Sequence, residues 1–532
     1  VAKFVFVTGG VISGLGKGVV TASLGCLLKA RGVPVTLQKI DPYLNMDAGT
    51  MNPYEHGEVF VTWDGLETDL DVGHYERFLG QNLGRANYLT TGQVYWSVIE
   101  RERGGEYLGH TVQVIPHITN EIKRRVREAL QTSGAEVVVV EVGGTVGDIE
   151  GLPYLEAIRQ LQDELPQEDV AVVHLAYVPV LSTTGELKTK PTQHSVKELR
   201  TAGIQPDFVV ARSPTQLPRP LRDKIALFCD VSPDHVIACA DLPSIYEVPL
   251  ALREEGLDVK LLHRLGLQAQ AEDLRAWEAF VAKLRTADRT TRIGIVGKYV
   301  ELHDAYLSIL EALHHAGAAL GLGVEVAWIP SARVEQEGES ALHGVSGILV
   351  PGGFGERGIE GKIAAVSYAR RMRIPFFGIC LGMQLAVVAF ARDVLGWKKA
   401  HSTEFAPGTP YPVIDLLPDQ HGVKAKGGTM RLGEYPAVLD PHSLVFSAYG
   451  RREIAERHRH RFEFNPLYLE DFASAGLKAS ALSPDGRLVE AVEDPRHPWF
   501  VGVQYHPEFT SRPTAPHPLF VGFLRACSSS CS

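Results

Sequence analysis

Cys380 stands between two glycines in Gly378-Ile379-Cys380-Leu381-Gly382, directly after the apolar run Ile374-Pro375-Phe376-Phe377. A cysteine set in G-x-C-x-G where a strand passes into a helix is a nucleophile elbow. The sharp turn exposes the sulfur, the glycines relieve crowding, and the helix N-terminus favours the thiolate. Such a nucleophile needs a base, and Trp499 to Glu508 offers one: a strand-like run ending in His506, with Glu508 two residues on. Period-two geometry points these side chains the same way, so Glu508 orients the imidazole that shuttles a proton for Cys380. The run Gly347-Ile348-Leu349-Val350 enters Pro351-Gly352-Gly353-Phe354-Gly355, whose N–H groups, with that of Leu381, suit an oxyanion.

A second chemistry is written at the start of the chain. Phe4-Val5-Phe6-Val7 reads as a strand, Gly9-Gly10-Val11-Ile12-Ser13-Gly14-Leu15-Gly16 as a phosphate loop, and Lys17-Gly18-Val19 as a helix start. Backbone N–H groups and the positive helix end hold phosphate oxygens there, and Lys17 adds a mobile charge. The match to G-x-x-x-x-G-K-[ST] is imperfect. Val11 stands where the first glycine belongs, and Gly18 replaces the hydroxyl residue that reaches magnesium, so metal binding must lean on other residues. Arg457-His458-Arg459-His460-Arg461 invites a metal through its H-x-H, but zinc takes three or four ligands and none are paired nearby. On a strand these arginines share one face and suit a carboxylate.

The elements that must position these groups alternate strand and helix, which predicts α/β architecture with a mostly parallel sheet flanked by helices in each of two domains. Val33 to Lys39 reads as the second strand. Glu136 to Val142 is apolar without alternation, a strand buried on both faces that carries Glu141 to its carboxyl end, where Gly143 to Glu150 forms a second glycine-rich loop. Ligands of open α/β sheets bind beyond such ends, so both loops are expected to flank one ligand. Ala171 to Tyr177, Phe208 to Val210 and His235 to Ala238 complete the strands, with Lys224 on an intervening helix. Thr68 to Arg77 crowds acidic and aromatic residues without helical periodicity, either a site or a solvated acidic loop. Leu187 to Ser195 carries two lysines and three hydroxyl residues, suited to an anion or to a plain surface loop. Residues 268–291 read as an interdomain linker between 1–267 and 292–532, and Cys527 to Ser532 as a frayed tail.

At 532 residues the chain exceeds one core, and its 45% hydrophobic and 22% charged composition is that of a soluble enzyme. A net charge of −10 disfavours a nucleic-acid or anionic-membrane binder. No apolar run is long enough to span a membrane and no signal-peptide pattern opens the chain, so a cytoplasmic place is expected. Six cysteines without a C-x-x-C pair read as reduced thiols.

With these residues in hand, the whole chain resembles the CTP synthase family, through Ser13 to Gly18, Gly144 to Glu150, Lys188 to Ser195, Gly378 to Gly382 and His506-Pro507-Glu508. The last two segments mark any class I glutamine amidotransferase; the lysine-rich segment and Gly147-Asp148-Ile149-Glu150 narrow the family. The resemblance implies a phosphate-loop amidoligase domain that phosphorylates the 4-oxygen of UTP with ATP, and a flavodoxin-like glutaminase domain that releases ammonia from L-glutamine to displace that phosphate. It implies Mg²⁺ on Asp71 and Glu141. ATP falls at Gly14, Leu15, Gly16, Lys17, Gly18, Val19, Asp71, Ala240, Asp241 and Leu242. UTP or inhibitory CTP falls at Ser13, Asp148, Ile149, Glu150, Lys188, Thr189, Lys190, Pro191, Thr192, Gln193 and Lys224. Glutamine falls at Gly353, Leu381, Gly382, Met383, Gln384, Glu404 and Arg461. It further implies a homotetramer, GTP as an allosteric activator, and an enclosed ammonia path near His56 and Leu108. Two other readings stand beside it: a cobyric acid synthase-type amidoligase, which has no use for the Lys188/Lys190 cluster, and a partitioning-type ATPase scaffold, which leaves Cys380, His506 and Glu508 unexplained.

Overall fold

Runs of valine and isoleucine without alternation need cover on both faces. Seven strands built on them pair in parallel, in the order Tyr88–Thr90, Val35–Asp41, Val137–Val142, Lys3–Gly9, Val170–Tyr177, Phe208–Ser213, Val236–Ala240. The structure, a computed structural model, describes residues 2–287, 289–417, 420 and 427–529. Asp288 of the expected linker, and Ser530, Cys531 and Ser532 of the expected tail, lie outside the described residues.

By its contacts the chain divides into two compact units, one from residues 1–46 and 71–281, the other from 47–70 and 282–532. In the first, register sets the chemistry: Lys39 and Val7 both pair with Glu141 across neighbouring strands. The crowded stretch around Thr68 to Arg77 is neither loop nor solvated; Leu70–Leu79 is a helix with Val72 to Leu79 buried. A helix buried all round shows no amphipathic period, which is why its spacing did not read as helical. The lysine-rich segment is likewise half helix, since Lys190–Thr201 is helical with Pro191 in its first turn, where proline is tolerated. The expected linker, helical and charged in its pattern up to Trp277, does carry a helix. Arg275–Arg285 is a helix whose Trp277 packs on Phe78 at 5.0 Å and donates to the Tyr246 carbonyl at 2.8 Å.

The second unit holds a nine-stranded sheet, ordered Leu322–Pro330, Arg289–Gly297, Gly347–Val350, Phe376–Ile379, Phe500–Val503, Val489–Glu493, Lys478–Leu482, Arg431–Leu439, Glu453–His460. The first five are parallel and the rest join antiparallel. Residues 47–70 belong here although they interrupt the first sheet in sequence. The Glu58 carboxylate accepts from the Ser308 hydroxyl at 2.5 Å, Phe60 meets Phe509 edge-on at 5.0 Å, and Arg457 donates to the Val61 carbonyl at 2.9 Å. Cys527 is not part of a frayed tail; it is fully buried on the helix Pro518–Ser529, against Gly347.

Candidate active sites

In the first unit the strand Lys3–Gly9 ends in the glycine-rich loop, and the helix Lys17–Ala30 begins at the lysine, capped by Gly16 at φ 92°. Val11 takes φ 84°, a left-handed value strained for a β-branched residue, so the backbone keeps the glycine geometry without the glycine. Lys17 folds back over Gly9 and donates to the Gly144 carbonyl at 2.5 Å, bringing the two glycine-rich loops together. Burial lowers its pKa and Lys39 adds to that, while Glu141 and Asp71 pull it up. A Cβ on Gly18 would collide with the Asp71 carboxylate. The hydroxyl residue of ordinary phosphate loops has no room here, because the Asp71 carboxylate fills that volume.

Asp71 and Glu141 come together on a group the sequence reading missed. Lys39 lies buried with its ammonium 2.5 Å from Asp71, 2.9 Å from Glu141 and 3.8 Å from Asp41. Tyr75 also hydrogen-bonds Glu141. Burial raises the Glu141 pKa against the pull of Lys39. Two hard oxygen donors meeting at one cation-sized point fit magnesium, which takes one or two carboxylates and completes its shell with phosphate oxygens and water. Among the described residues no cluster of three or more metal-ligating side chains occurs.

Leu15, Gly16, Val19, Ala240, Asp241 and Leu242 line one cavity of about 100 Å³ beside the loop. Arg212, also missed, forms part of it, donating to Asp241 at 2.9 Å and to the Leu15 carbonyl at 2.7 Å. Its place at the carboxyl end of Phe208–Ser213 was the available signal. The residues expected at UTP divide between surface and interior. Ser13, Asp148, Ile149, Glu150, Lys190 and Lys224 are exposed, Lys188 pairs with Glu186 at 2.5 Å, and Lys190 stands over Phe228 at 5.3 Å. Thr192 and Gln193 turn inward, the former donating to the Tyr177 carbonyl at 3.0 Å, the latter to Thr189 at 3.0 Å.

In the second unit Cys380 ends the strand Phe376–Ile379 at φ 51°, ψ −105°, and caps the helix Leu381–Asp393. This is the strained turn of an elbow. Its glycines are needed for close approach: a Cβ on Gly382 would strike the Val350 carbonyl. The sulfur donates to the Arg459 carbonyl at 3.8 Å and accepts from Gln504 at 3.7 Å. His506 Nδ1 lies 2.7 Å from Glu508 Oε1, and Cys380 interacts with the same imidazole. Both residues sit on the turn around Pro507–Thr510 rather than on the strand, which ends at Val503, so the turn and not strand alternation brings them together. Burial pulls the His506 pKa down, but Glu508 and then Cys380 outweigh it and lift it to about 10.

Gly352, Gly353, Cys380, His506 and Glu508 line a cavity of about 440 Å³. Its far wall comes from residues 49–53, 58 and 59, a contribution unread in the sequence because it depends on long-range packing. Of the expected glutamine contacts, Leu381 and Gly382 open the helix with free N–H groups. Met383 is buried beneath them, and Gln384 donates to the Phe462 carbonyl at 2.8 Å. Glu404 is half-buried, and burial lifts its pKa to about 7. Arg461 donates to Gln420 at 2.6 Å and to Thr429 at 2.7 Å. The H-x-H rings hydrogen-bond each other at 3.0 Å, and Arg459 meets a carboxylate, that of Glu67, at 2.7 Å. His56 ends the helix Pro53–His56 in this unit, whereas Leu108 belongs to the first unit and is exposed.

Comparison with known families matches residues 3–267 to the CTP synthase N-terminus and residues 301–526 to class-I glutamine amidotransferases. A CTP synthase of Roseiflexus sp. (strain RS-1) is 57% identical over 529 residues, 99% of this chain and 95% of that protein. One of Pelotomaculum thermopropionicum is 58% identical over 526 residues, 99% and 98% of the two chains. Among solved structures, the glutaminase domain of Trypanosoma brucei CTPS with bound acivicin is similar at 39% identity, covering 45% of this chain and 94% of that one, with a TM-score of 0.43.

Proposed function

The chain belongs to the CTP synthase family, and we propose that its two sites divide the labour of making CTP from UTP, ATP and glutamine. The cobyric acid synthase and scaffold readings are set aside. One observation carries the division: a buried His506–Glu508 pair at 2.7 Å beside a strained cysteine in one unit, and a lysine-bearing phosphate loop against Asp71 and Glu141 in the other.

In the glutaminase, residues 292–532 with the segment 47–70, the Cys380 thiolate attacks the glutamine side-chain carbonyl. Gly353 and Leu381 N–H groups receive the oxyanion, and His506 gives its proton to the departing ammonia. Water then releases glutamate from the thioester, with His506 as base. Glu404 suits the substrate ammonium and Arg461 its carboxylate, while Gly382, Met383 and Gln384 shape the floor. In the synthetase, within 1–267, ATP lies along Gly14 to Val19 and Ala240 to Leu242. Its γ-phosphoryl passes to the UTP 4-oxygen, turning a poor leaving group into a good one. Lys17 steadies the moving charge. Asp71 and Glu141 would hold magnesium, which when bound neutralises phosphate oxygens. Ammonia then displaces the phosphate.

UTP, and CTP as inhibitor, are assigned to Ser13, Asp148 to Glu150, Lys188 to Gln193 and Lys224. The exposure of Ser13, Asp148, Ile149, Glu150, Lys190 and Lys224 suits a site completed by another copy. Trp96, Ile99, Leu108, Val114, Ile115, Ile149 and Leu152 are exposed apolar side chains of the same unit, the kind of surface an assembly covers, and a homotetramer is the assembly proposed. GTP activation, an ammonia path by way of His56 and Leu108, and a cytoplasmic place rest on the family resemblance. Among the described residues no helix is long and apolar enough to cross a membrane.

The test is CTP formation with UTP, ATP and Mg²⁺, using glutamine or ammonium chloride. Cys380→Ala should lose only the glutamine-dependent reaction, and Lys17→Ala should lose synthesis while keeping glutamine hydrolysis. Loss of both activities in folded Cys380→Ala, or full CTP output from Lys17→Ala, refutes the division.

A further inference from the structure

Arg459 has a side chain that neither proposed half-reaction uses, although its carbonyl touches the Cys380 sulfur. The guanidinium is spent on three partners. Its Nε donates to Glu67 Oε1 at 2.7 Å, its Nη2 donates to the Gly49 carbonyl at 3.2 Å, and its face lies over the Phe354 ring at 4.9 Å. Glu67 is 1% exposed, so this ion pair is shielded from solvent on the acidic side. Phe354 directly follows the Gly352-Gly353 pair.

We infer that Arg459 is a positioning residue of the glutaminase, a latch that ties the loop carrying the oxyanion donors to the segment 47–70. The loop needs such a tie. Gly352-Gly353-Phe354-Gly355 has three glycines in four residues and Gly355 at φ 85°, so its intrinsic freedom is high. Lys298 holds its backbone from one side, donating to the Phe354 carbonyl at 3.2 Å. Arg459 holds its side chain from the other. The guanidinium fits the task because its edge and its face act at once, which an ammonium cannot do. The segment 47–70 is thus more than a wall of the cavity: through Glu67 and Gly49 it fixes the arginine that fixes the loop. This rests on the reading of Cys380 as the glutaminase nucleophile and extends it to a residue pair drawn from both ends of the chain.

The full-length chain carries the test. Arg459→Lys and Phe354→Leu should each lower kcat for glutamine hydrolysis by about tenfold to a hundredfold, the scale of a slightly misplaced oxyanion donor, with KM changed by less than about threefold. Iodoacetamide alkylation of Cys380, which needs no oxyanion donor, should keep its rate, and so should ammonia-dependent CTP formation. Because both variants break one latch, the double variant should lose no more than the worse single one. A kcat within about twofold of the parent in either variant, losses that multiply in the double variant, or alkylation slowed in step with kcat overturns the latch. Should Arg459→Lys fail to fold, Phe354→Leu and Glu67→Gln keep the question open to refutation, each expected to lower kcat and not KM. Cys380→Ala run alongside separates the two failures: glutamine hydrolysis surviving there sinks the nucleophile assignment, whereas its loss with normal Arg459 variants sinks only the latch.

Discussion

Replacing Glu508 by glutamine keeps the shape and the acceptor oxygen beside His506 Nδ1 and removes only the charge. The charge is what lifts the imidazole from 6.5 to about 10 against its own burial, with Cys380 as the lesser contributor. At about 1.4 kcal/mol per pH unit, the rise corresponds to roughly 5 kcal/mol in favour of the imidazolium. Glu508 supplies the largest single attraction behind that rise, so removing its charge should lower the imidazole pKa by about two pH units. The assay is the pH profile of kcat/KM for glutamine hydrolysis. The parent should lose activity as His506 deprotonates near pH 10, and Glu508→Gln should show that limb about two pH units lower, with activity nearly unchanged at pH 7 and down about fiftyfold at pH 10. Ammonia-dependent CTP formation should be untouched. Stability follows the same sign. The folded pKa lies above the unfolded one, so the pair's contribution is complete below pH 6.5 and lost as pH rises through about 10. The gap in unfolding midpoint between parent and variant should therefore close at high pH. An unmoved alkaline limb, or a loss at pH 10 under about tenfold, would refute the role given to Glu508.

Three further outcomes follow from particular groups. Burial holds Glu404 near pH 7, so kcat/KM for glutamine should fall on the acid side of 7 as the carboxyl turns neutral and loses its hold on the substrate ammonium, and Glu404→Gln should remove that limb; a limb that persists places the titration elsewhere. Lys39→Met removes the ammonium from between Asp71 and Glu141, and Mn²⁺ binding without nucleotide, read by electron paramagnetic resonance, should tighten by about tenfold or more; no tightening means the lysine does not stand in the cation's place. Val11→Gly relieves φ 84° on a β-branched residue at a small entropic cost, so the first unfolding transition should rise by about 1 kcal/mol, and a fall would show that the valine side chain earns its place by packing.

What could be read from the chain alone was what is local. The elbow at Cys380, the loop ending at Lys17 and the strands feeding them are each specified within about fifteen residues by glycine placement and apolar runs, and each appears where its spacing put it. Lys39, Arg212, Arg459 and the segment 47–70 escaped because their partners lie far along the chain: Lys39 acquires meaning only when the sheet register sets it beside Glu141, and Glu67 only when Arg459 reaches it. The helix Leu70–Leu79 escaped for the opposite reason, since burial on every side erased the period that announces a helix. Gly18 joins the two cases. As a local motif it is a defect, a phosphate loop without its hydroxyl. Packing explains it, because the volume a side chain would need at residue 18 is taken by the carboxylate of residue 71. Restoring the familiar motif with Gly18→Ser should therefore weaken nucleotide-dependent metal binding and CTP synthesis rather than improve them, since the new Cβ must push Asp71 off the position that replaced it. A serine that left both unchanged would mean that the two residues do not compete for one place.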